Sequence, residues 1–321
     1  MSTSRIHHGL VSLSLTFFIA CAPSEPMADD IEEAEDEASA ASTSYVEIGD
    51  YLTSDADIES WITLRRTLAS AFDDICGDTF CEGDYSNLAS LDFTCSVTQK
   101  KGKLKECAWT FAASDDQVSR ADGTVASAVP FFVCRVRPKG KAADLLAALG
   151  SDPLHATLPG LDGSLYDALG DCFEEPREPV ARPGPTEGAF TDVLERLEGP
   201  DIDAWYAMTR ALREDFDQVC GDTFCEGDFA NWAALRLRCS EDVETLKLGS
   251  CAWSFAASDS WAKKKGAIGV TTGEATCTFT VDATATELAA ALAPDLAGEP
   301  PLMRPLPGST MTIYDALIDC L

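Results

Sequence analysis

Positive charge is scarce in this chain. Its 321 residues carry 24 Lys and Arg against 54 Asp and Glu, a formal charge of −30. Such a surface repels nucleic acid and anionic headgroups, which argues against DNA, RNA or a bare lipid surface as partner and leaves cations or basic proteins as the partners that charge favours. Histidine is nearly absent: His7 and His8 stand at the amino end, and His155 is the remaining one. A His-based catalytic site shared along the chain is therefore excluded, and a lone histidine is most often a surface residue. Gly-x-Ser-x-Gly, His-Glu-x-x-His, a phosphate-cradling glycine loop and a dinucleotide fingerprint are all missing. No apolar run reaches the ~20 residues that a membrane-spanning helix needs. There are 13 cysteines, yet no Cys-x-x-Cys pair and no histidine beside them, so disulfides are favoured over zinc.

What is present begins with a leader. Residues 1–20 have a short polar start with Arg5, then the apolar run Gly9 to Ala20, as in a secretory signal. The run closes on Phe18-Ile19-Ala20-Cys21, which resembles the lipobox of bacterial lipoproteins, with Phe18 where leucine is usual. The resemblance covers the first 21 residues. It implies cleavage before Cys21, lipidation of Cys21 and a membrane attachment through that lipid alone. Ala22 follows the cysteine; the resemblance then implies the outer membrane, since Asp at that place goes with inner-membrane retention. Residues 22–44 hold eight acidic residues and no Lys or Arg, a composition that cannot offset its ordering entropy and suits an extended tether.

Setting Cys21 aside leaves twelve cysteines, which divide as six and six. The block CGDTFCEGD occurs at 76–84 and again at 220–228, a shift of 144. Cys-Ala-Trp recurs at 107–109 and 251–253, and Tyr-Asp-Ala-Leu-x-Asp-Cys closes both copies at 166–172 and 314–320. The cysteines match as Cys76/Cys220, Cys81/Cys225, Cys95/Cys239, Cys107/Cys251, Cys134/Cys277 and Cys172/Cys320. Two repeats of this length point to tandem domains rather than a solenoid. The expected boundaries are 45–173 and 189–321, joined by a linker at 174–188 that holds four prolines. The two domains are candidates to pack as a pseudo-dimer.

Within one copy, Asp57 is a candidate N-cap for a helix whose apolar stripe is Ile58, Trp61, Leu64, Leu68, Phe72 and Ile75, with Gly77 to stop it. Period-two alternation then marks strands at Leu91, Phe93, Cys95, Val97, at Cys107, Trp109, Phe111, and at Phe132, Cys134, Val136. Helices at 142–149 and around the closing motif complete it. The expected fold is α+β, an antiparallel sheet with helices on one face in each copy. Cys95 and Cys107 can face each other across a hairpin, and the remaining bridges can staple helices to the sheet; six cysteines otherwise allow 15 connectivities.

The candidate site is the repeated block. Asp78, Glu82 and Asp84, with Asp222, Glu226 and Asp228, crowd a short glycine-bearing loop, and such oxygen ligands suit a weak Ca²⁺ site. The plainer reading is a disulfide-bounded corner whose Asp and Gly residues make turns. No catalytic residue is assigned. The leading expectation is a non-enzymatic binding or structural protein of the cell envelope. The alternatives are a hydrolase using carboxylates in a cleft between the domains and a Ca²⁺-binding module. The copies vary at 115–129 against 259–276, and if the units bind different things the specificity is expected there.

Overall fold

A computed structural model describes residues 43–76, 87–173, 188–225, 227, 229–294 and 298–321. The leader, the lipobox, the tether up to residue 42 and the linker up to residue 187 lie outside these residues. Residues 43–321 form one compact body.

The first half runs β1 (Tyr45–Glu47), α1 (Ile48–Tyr51), α2 (Asp55–Ile75), β2 (Ala89–Thr98), β3 (Leu104–Ala112), β4 (Asp115–Val118), β5 (Val125–Ala128), β6 (Phe131–Val136), α3 (Ala142–Leu149) and α4 (Leu165–Phe173). The second runs β7 (Phe190–Asp192), α5 (Pro200–Val219), β8 (Ala233–Asp242), β9 (Leu248–Ala262), β10 (Ile268–Thr280), α6 (Ala285–Ala291) and α7 (Ile313–Ile318). Two four-stranded antiparallel sheets result, in the orders β1-β2-β3-β6 and β10-β9-β8-β7. The mixed helix-and-antiparallel-sheet class expected from the pattern is what forms.

The long helices bury the predicted stripe: Trp61, Leu64, Leu68 and Phe72 from α2, and Trp205, Met208, Leu212 and Phe216 from α5. Ile58 stays exposed and Ile75 half-buried. The start of α2 lies earlier than expected. Ser54, not Asp57, is the N-cap, its hydroxyl accepting from the Asp57 N–H. In the second half Gly199 caps α5 with Pro200 in the first turn, where a missing N–H costs nothing. Glycine does not stop that helix either. Gly221 sits inside a π-helical turn, Cys220–Phe224, closed by the Cys225 N–H on the Cys220 carbonyl at 2.7 Å; the counterpart Gly77 lies outside the described residues.

Five disulfides lie among the described residues. Cys95–Cys107 and Cys239–Cys251 join directly opposed residues of the β2–β3 and β8–β9 hairpins. Cys134–Cys172 and Cys277–Cys320 staple α4 and α7 to β6 and β10. Cys220–Cys225 ties the end of α5 to the next loop. Cys76 is disulfide-bonded as well, and Cys81 lies outside the described residues. Each half keeps its own core, helices against one sheet face.

The other faces are where the strands depart from the half-buried pattern. In β3 Ala108, Thr110 and Ala112 are buried opposite the helix side, and in β9 so are Ala252, Ser254 and Ala256. They are buried because the two sheets pack against each other, through a small cluster of Ala112, Leu235 and Ala256 with Leu91 and Phe131 at its edge. The layers are therefore helices, sheet, sheet, helices. Alternation groups Leu91 with Phe93 and, in the second copy, Leu235 with Leu237. Ladder irregularities at Ser90/Asp92 and Ala234/Leu237 turn both leucines to the inter-sheet face instead.

Candidate binding grooves at the seam

Each half sends an arm onto the other. In the first the arm is the β4–β5 hairpin; in the second it is the far end of β9 and β10. Ser240 donates to the Gly123 carbonyl at the first arm's tip, at 2.6 Å, and Ser96, 144 residues earlier, donates to the Gly266 carbonyl at the second. Both glycines have positive φ, +73° and +83°, and a Cβ on either would lie 2.7 Å from an aromatic ring, Phe190 or Tyr45. Only glycine meets both demands. The segments 115–129 and 259–276 thus contribute seam contacts.

Polar groups in the seam are well partnered. Asp116, buried, accepts from Ser114, Ser127 and Ser254 at 2.6, 2.5 and 2.7 Å. Glu106 accepts from the Ile268 N–H at 3.0 Å, Arg135 at 2.7 Å and Arg137 at 3.2 Å. Burial alone would raise its affinity for a proton; these three donors outweigh burial and hold the carboxyl below its ordinary range. Glu47 does the reverse. Burial, then Asp50, Asp92 and Asp259, push it up to about 7 against the pull of Arg65.

Two depressions open beside the seam. The first is a groove of about 520 Å³ between α5 and β8. Its walls bring together Tyr206, Thr209 and Arg213 from α5, Arg236 and Arg238 from β8, and Asn87 from the first half. Arg213 Nη2 donates to the Leu235 carbonyl at 2.6 Å. Arg238 Nε lies 2.5 Å from Asp192 as an ion pair without hydrogen-bond alignment. Burial, and then the neighbouring Arg238, push the Arg236 guanidinium below its usual range, with Asp116 and Asp192 pulling the other way. Burial likewise raises Asp192 despite Arg238 and the Leu194 N–H. A second, open trough lined by Asp203, Tyr206, Arg210 and Arg213 continues the groove along α5.

The other depression is a cleft of about 440 Å³ between the halves, lined by Asp73, Arg213 and Asp217 among others. Asp73 and Asp217 occupy matching places 144 residues apart. Protein atoms crowd both, so burial raises both carboxyls, opposed by Arg213; Asp73 adds to the rise at Asp217. Both side chains still touch water, which screens much of the effect.

The Ca²⁺ candidates are not tested by this geometry. Asp78, Glu82, Asp84, Glu226 and Asp228 lie outside the described residues, and Asp222 is placed only by its backbone in the π-helical turn. Among the described residues no group of three or more His, Cys, Asp or Glu is placed to hold a metal ion. His155 is exposed, its ring 4.9 Å from that of Tyr166. The residues that sequence reasoning missed are Arg213, Arg236, Arg238, Tyr206, Asp73 and Asp217. A signal for four of them was in the repeat itself. Tyr206, Arg213, Arg236 and Arg238 replace Ile62, Ala69, Asp92 and Thr94 of the first copy. No family model, curated protein or solved structure matches the chain.

Proposed function

We propose that the chain is an exported, lipid-anchored binding protein of the bacterial envelope, without catalytic activity of its own. Its two halves are a duplicated six-cysteine domain paired as a pseudo-dimer, carried on the acidic tether behind Cys21. The groove between α5 and β8 carries this reading: it has the volume of a small-molecule site, walls built from rigid elements, and guanidiniums oriented by Leu235 and Asp192. The disulfides support an oxidising compartment. Among the described residues no helix is long and apolar enough to cross a membrane, so attachment at Cys21 would be the sole membrane link of the described body. The test is fractionation of cells expressing the wild-type chain and Cys21→Ser, with labelled palmitate. Label and membrane association lost together in Cys21→Ser support the reading; a variant that stays with the membrane overturns it.

One observation favours a second reading, the hydrolase. Asp73 and Asp217 share a cleft, both with raised proton affinity, as acid–base groups require. Screening the full chain on glycosides and esters, with Asp73→Asn and Asp217→Asn beside it, tests it. Turnover abolished by either variant establishes the second reading and removes the first.

A further inference from the structure

We infer that the acidic run of the tether, residues 25–37, docks on a lysine-rich end of the body, beside the point where the tether enters the fold, and covers those lysines against other polyanions. The inference goes beyond the reading above and holds whether or not Cys21 carries lipid.

Charge distribution comes first. The β2–β3 turn and its flank carry Lys100, Lys101, Lys103 and Lys105, all exposed. Among the described residues none of these four joins an ion pair. Lys103 bridges to Lys141, which brings the segment with Lys139 to the same end. The tip of the second arm, Lys263-Lys264-Lys265-Gly266, lies there too: a Cβ on Gly266 would stand 2.7 Å from Lys105 Cγ and from the Tyr45 ring. Nine of the ten lysines of a strongly acidic chain are thus gathered at one end. Acids are outnumbered here. Glu106 is taken by Arg135 and Arg137, Asp144 caps α3 through the Lys141 N–H, and the exposed Asp50 and Asp162 stand on neighbouring segments.

Position comes second. The Gln99 N–H donates to the Ser44 carbonyl at 2.9 Å, and Ser44 Oγ donates to the Gln99 side chain at 2.8 Å, one residue before Lys100. Residues 25–37 hold all eight acids of the tether. Glu37 stands six residues before Thr43, a span of at most ~20 Å. A segment tied beside a complementary surface meets it at an effective concentration on the order of mM. The rest of the body is acidic and repels the run, which leaves this end as its complement.

The repeat supplies the control. The second copy receives the linker at the equivalent place, with the Val243 N–H donating to the Ala189 carbonyl at 2.9 Å. That linker carries four Glu and two Arg rather than an acidic run. Its turn has Asp242 and Glu244 in place of Thr98 and Lys100, and its one lysine, Lys247, pairs with Asp282. The arm tip beside it reads Arg120-Ala121-Asp122 instead of three lysines. A turn of the same build therefore folds without the lysines, and they gather where the acidic run enters.

Calorimetric titration with the peptide of residues 25–37 tests this, on the full chain in detergent and on a full-length variant whose eight tether acids are changed to Asn or Gln. At low salt the neutral-tether variant should bind the peptide at one saturable site, and added salt should weaken it. Wild type should bind the same peptide at least ~10-fold more weakly, because its own run competes from beside the site. In the neutral-tether background Lys100→Glu/Lys101→Glu should weaken binding at least ~10-fold, as two pairs are lost and two repulsions gained. Arg66→Glu/Lys247→Glu makes the same change of net charge on the exposed face of α2 and on the second copy's turn, and should alter binding less than ~2-fold. All four side chains are exposed, so both variants keep the fold. No saturable heat with the neutral-tether variant overturns the proposal, as do equal affinities of that variant and wild type. Equal loss in the two double variants also overturns it, since net charge alone would then explain the binding. A wild type that prefers phosphatidylglycerol to phosphatidylcholine vesicles, and loses the preference in Lys100→Glu/Lys101→Glu, gives this end to a lipid surface and overturns it as well.

Discussion

The two halves bury the same kind of core and use different arms. In the first, the ladder between β3 and β6 ends at Ala112 and Phe131, and the hairpin β4–β5 forms a separate two-stranded piece. Pro130 stands at the break; it has no N–H to continue the ladder, and only its carbonyl is used, by Ala113. In the second, β9 and β10 contain no proline and pair without interruption from Ser250 to Ala262. The seam chemistry differs as well. The second arm is locked to the first body by the buried Glu106, which takes the Ile268 N–H and two arginines. The first arm is tied by the buried Asp116, which accepts from the Ser254 hydroxyl, and by Arg120 to Glu195, an exposed pair 2.7 Å apart. Equivalent cores thus tolerate unequal contacts, because the core depends on apolar volume while the seam depends on individual donors and acceptors.

The largest effects should come from what the halves share. Loop-closure entropy assigns about 4 kcal/mol to each helix staple and about 3 kcal/mol to each hairpin bridge. Denaturant unfolding of Cys134→Ala/Cys172→Ala and Cys277→Ala/Cys320→Ala should therefore give matching losses. A gap of more than ~1 kcal/mol between them would show that the halves do not share one framework.

The seam should show the asymmetry. Glu106→Ala leaves a buried N–H and two arginines without their acceptor and should cost about 2–4 kcal/mol. Glu195→Ala at the other seam should cost under ~1 kcal/mol. Equal losses in thermal unfolding would break the comparison. The sign with pH follows from the lowered Glu106 carboxyl: its contribution is complete above the ordinary glutamate range and is lost as pH falls through its own, lower value.

Helix caps return to equivalence. Ser164 and Thr312 each cap a closing helix, with Asp167 and Asp315 reaching back to their N–H groups at 2.8 Å. Ser164→Ala and Thr312→Ala should each cost about 1 kcal/mol, read as a fall in melting temperature of roughly 2–4 °C.

Glu47 has the smallest expected effect; like Asp192, which takes its place opposite the equivalent serine of the second half, it has a carboxyl raised by burial. Its carboxyl is raised to about 7, so ionising it costs stability at high pH, and the wild type should gain stability as pH falls from ~8 towards ~5. Glu47→Gln should melt about 2 °C above wild type at pH ~8 and level with it at pH ~5. A variant that tracks wild type at both would remove Glu47 as the source.

Much of each half was legible because its signals are local. A stripe from Trp61 to Phe72 recurs every third or fourth residue, and Cys95 and Cys107 alternate with polar neighbours on strands joined by a short turn. The grouping of Leu91 with Phe93 failed because a slip in pairing, set by the partner strand, reverses the face without changing the letters. The candidate site was less legible. The repeated block drew attention by its fidelity, whereas the groove is built where the copies differ, at Tyr206, Arg213, Arg236 and Arg238. Those residues come from two elements and read as ordinary surface positions one at a time.

The sequence by itself determined the helices, the hairpins, the option of Cys95 facing Cys107 across one of them, and a repeat whose halves each bury a core. Periodicity and capping act over a few residues, and that information is complete in the chain. Only the tertiary structure decided that the second sheet faces meet. Ala108, Thr110, Ala252 and Ser254 are small and weakly apolar, so they carry no strong signal of burial, and their covering depends on the arms crossing at Gly123 and Gly266. The same packing brought three arginines of an acidic chain into the walls of one groove, a grouping that depends on how α5 lies on β8 and so on contacts that no local pattern records.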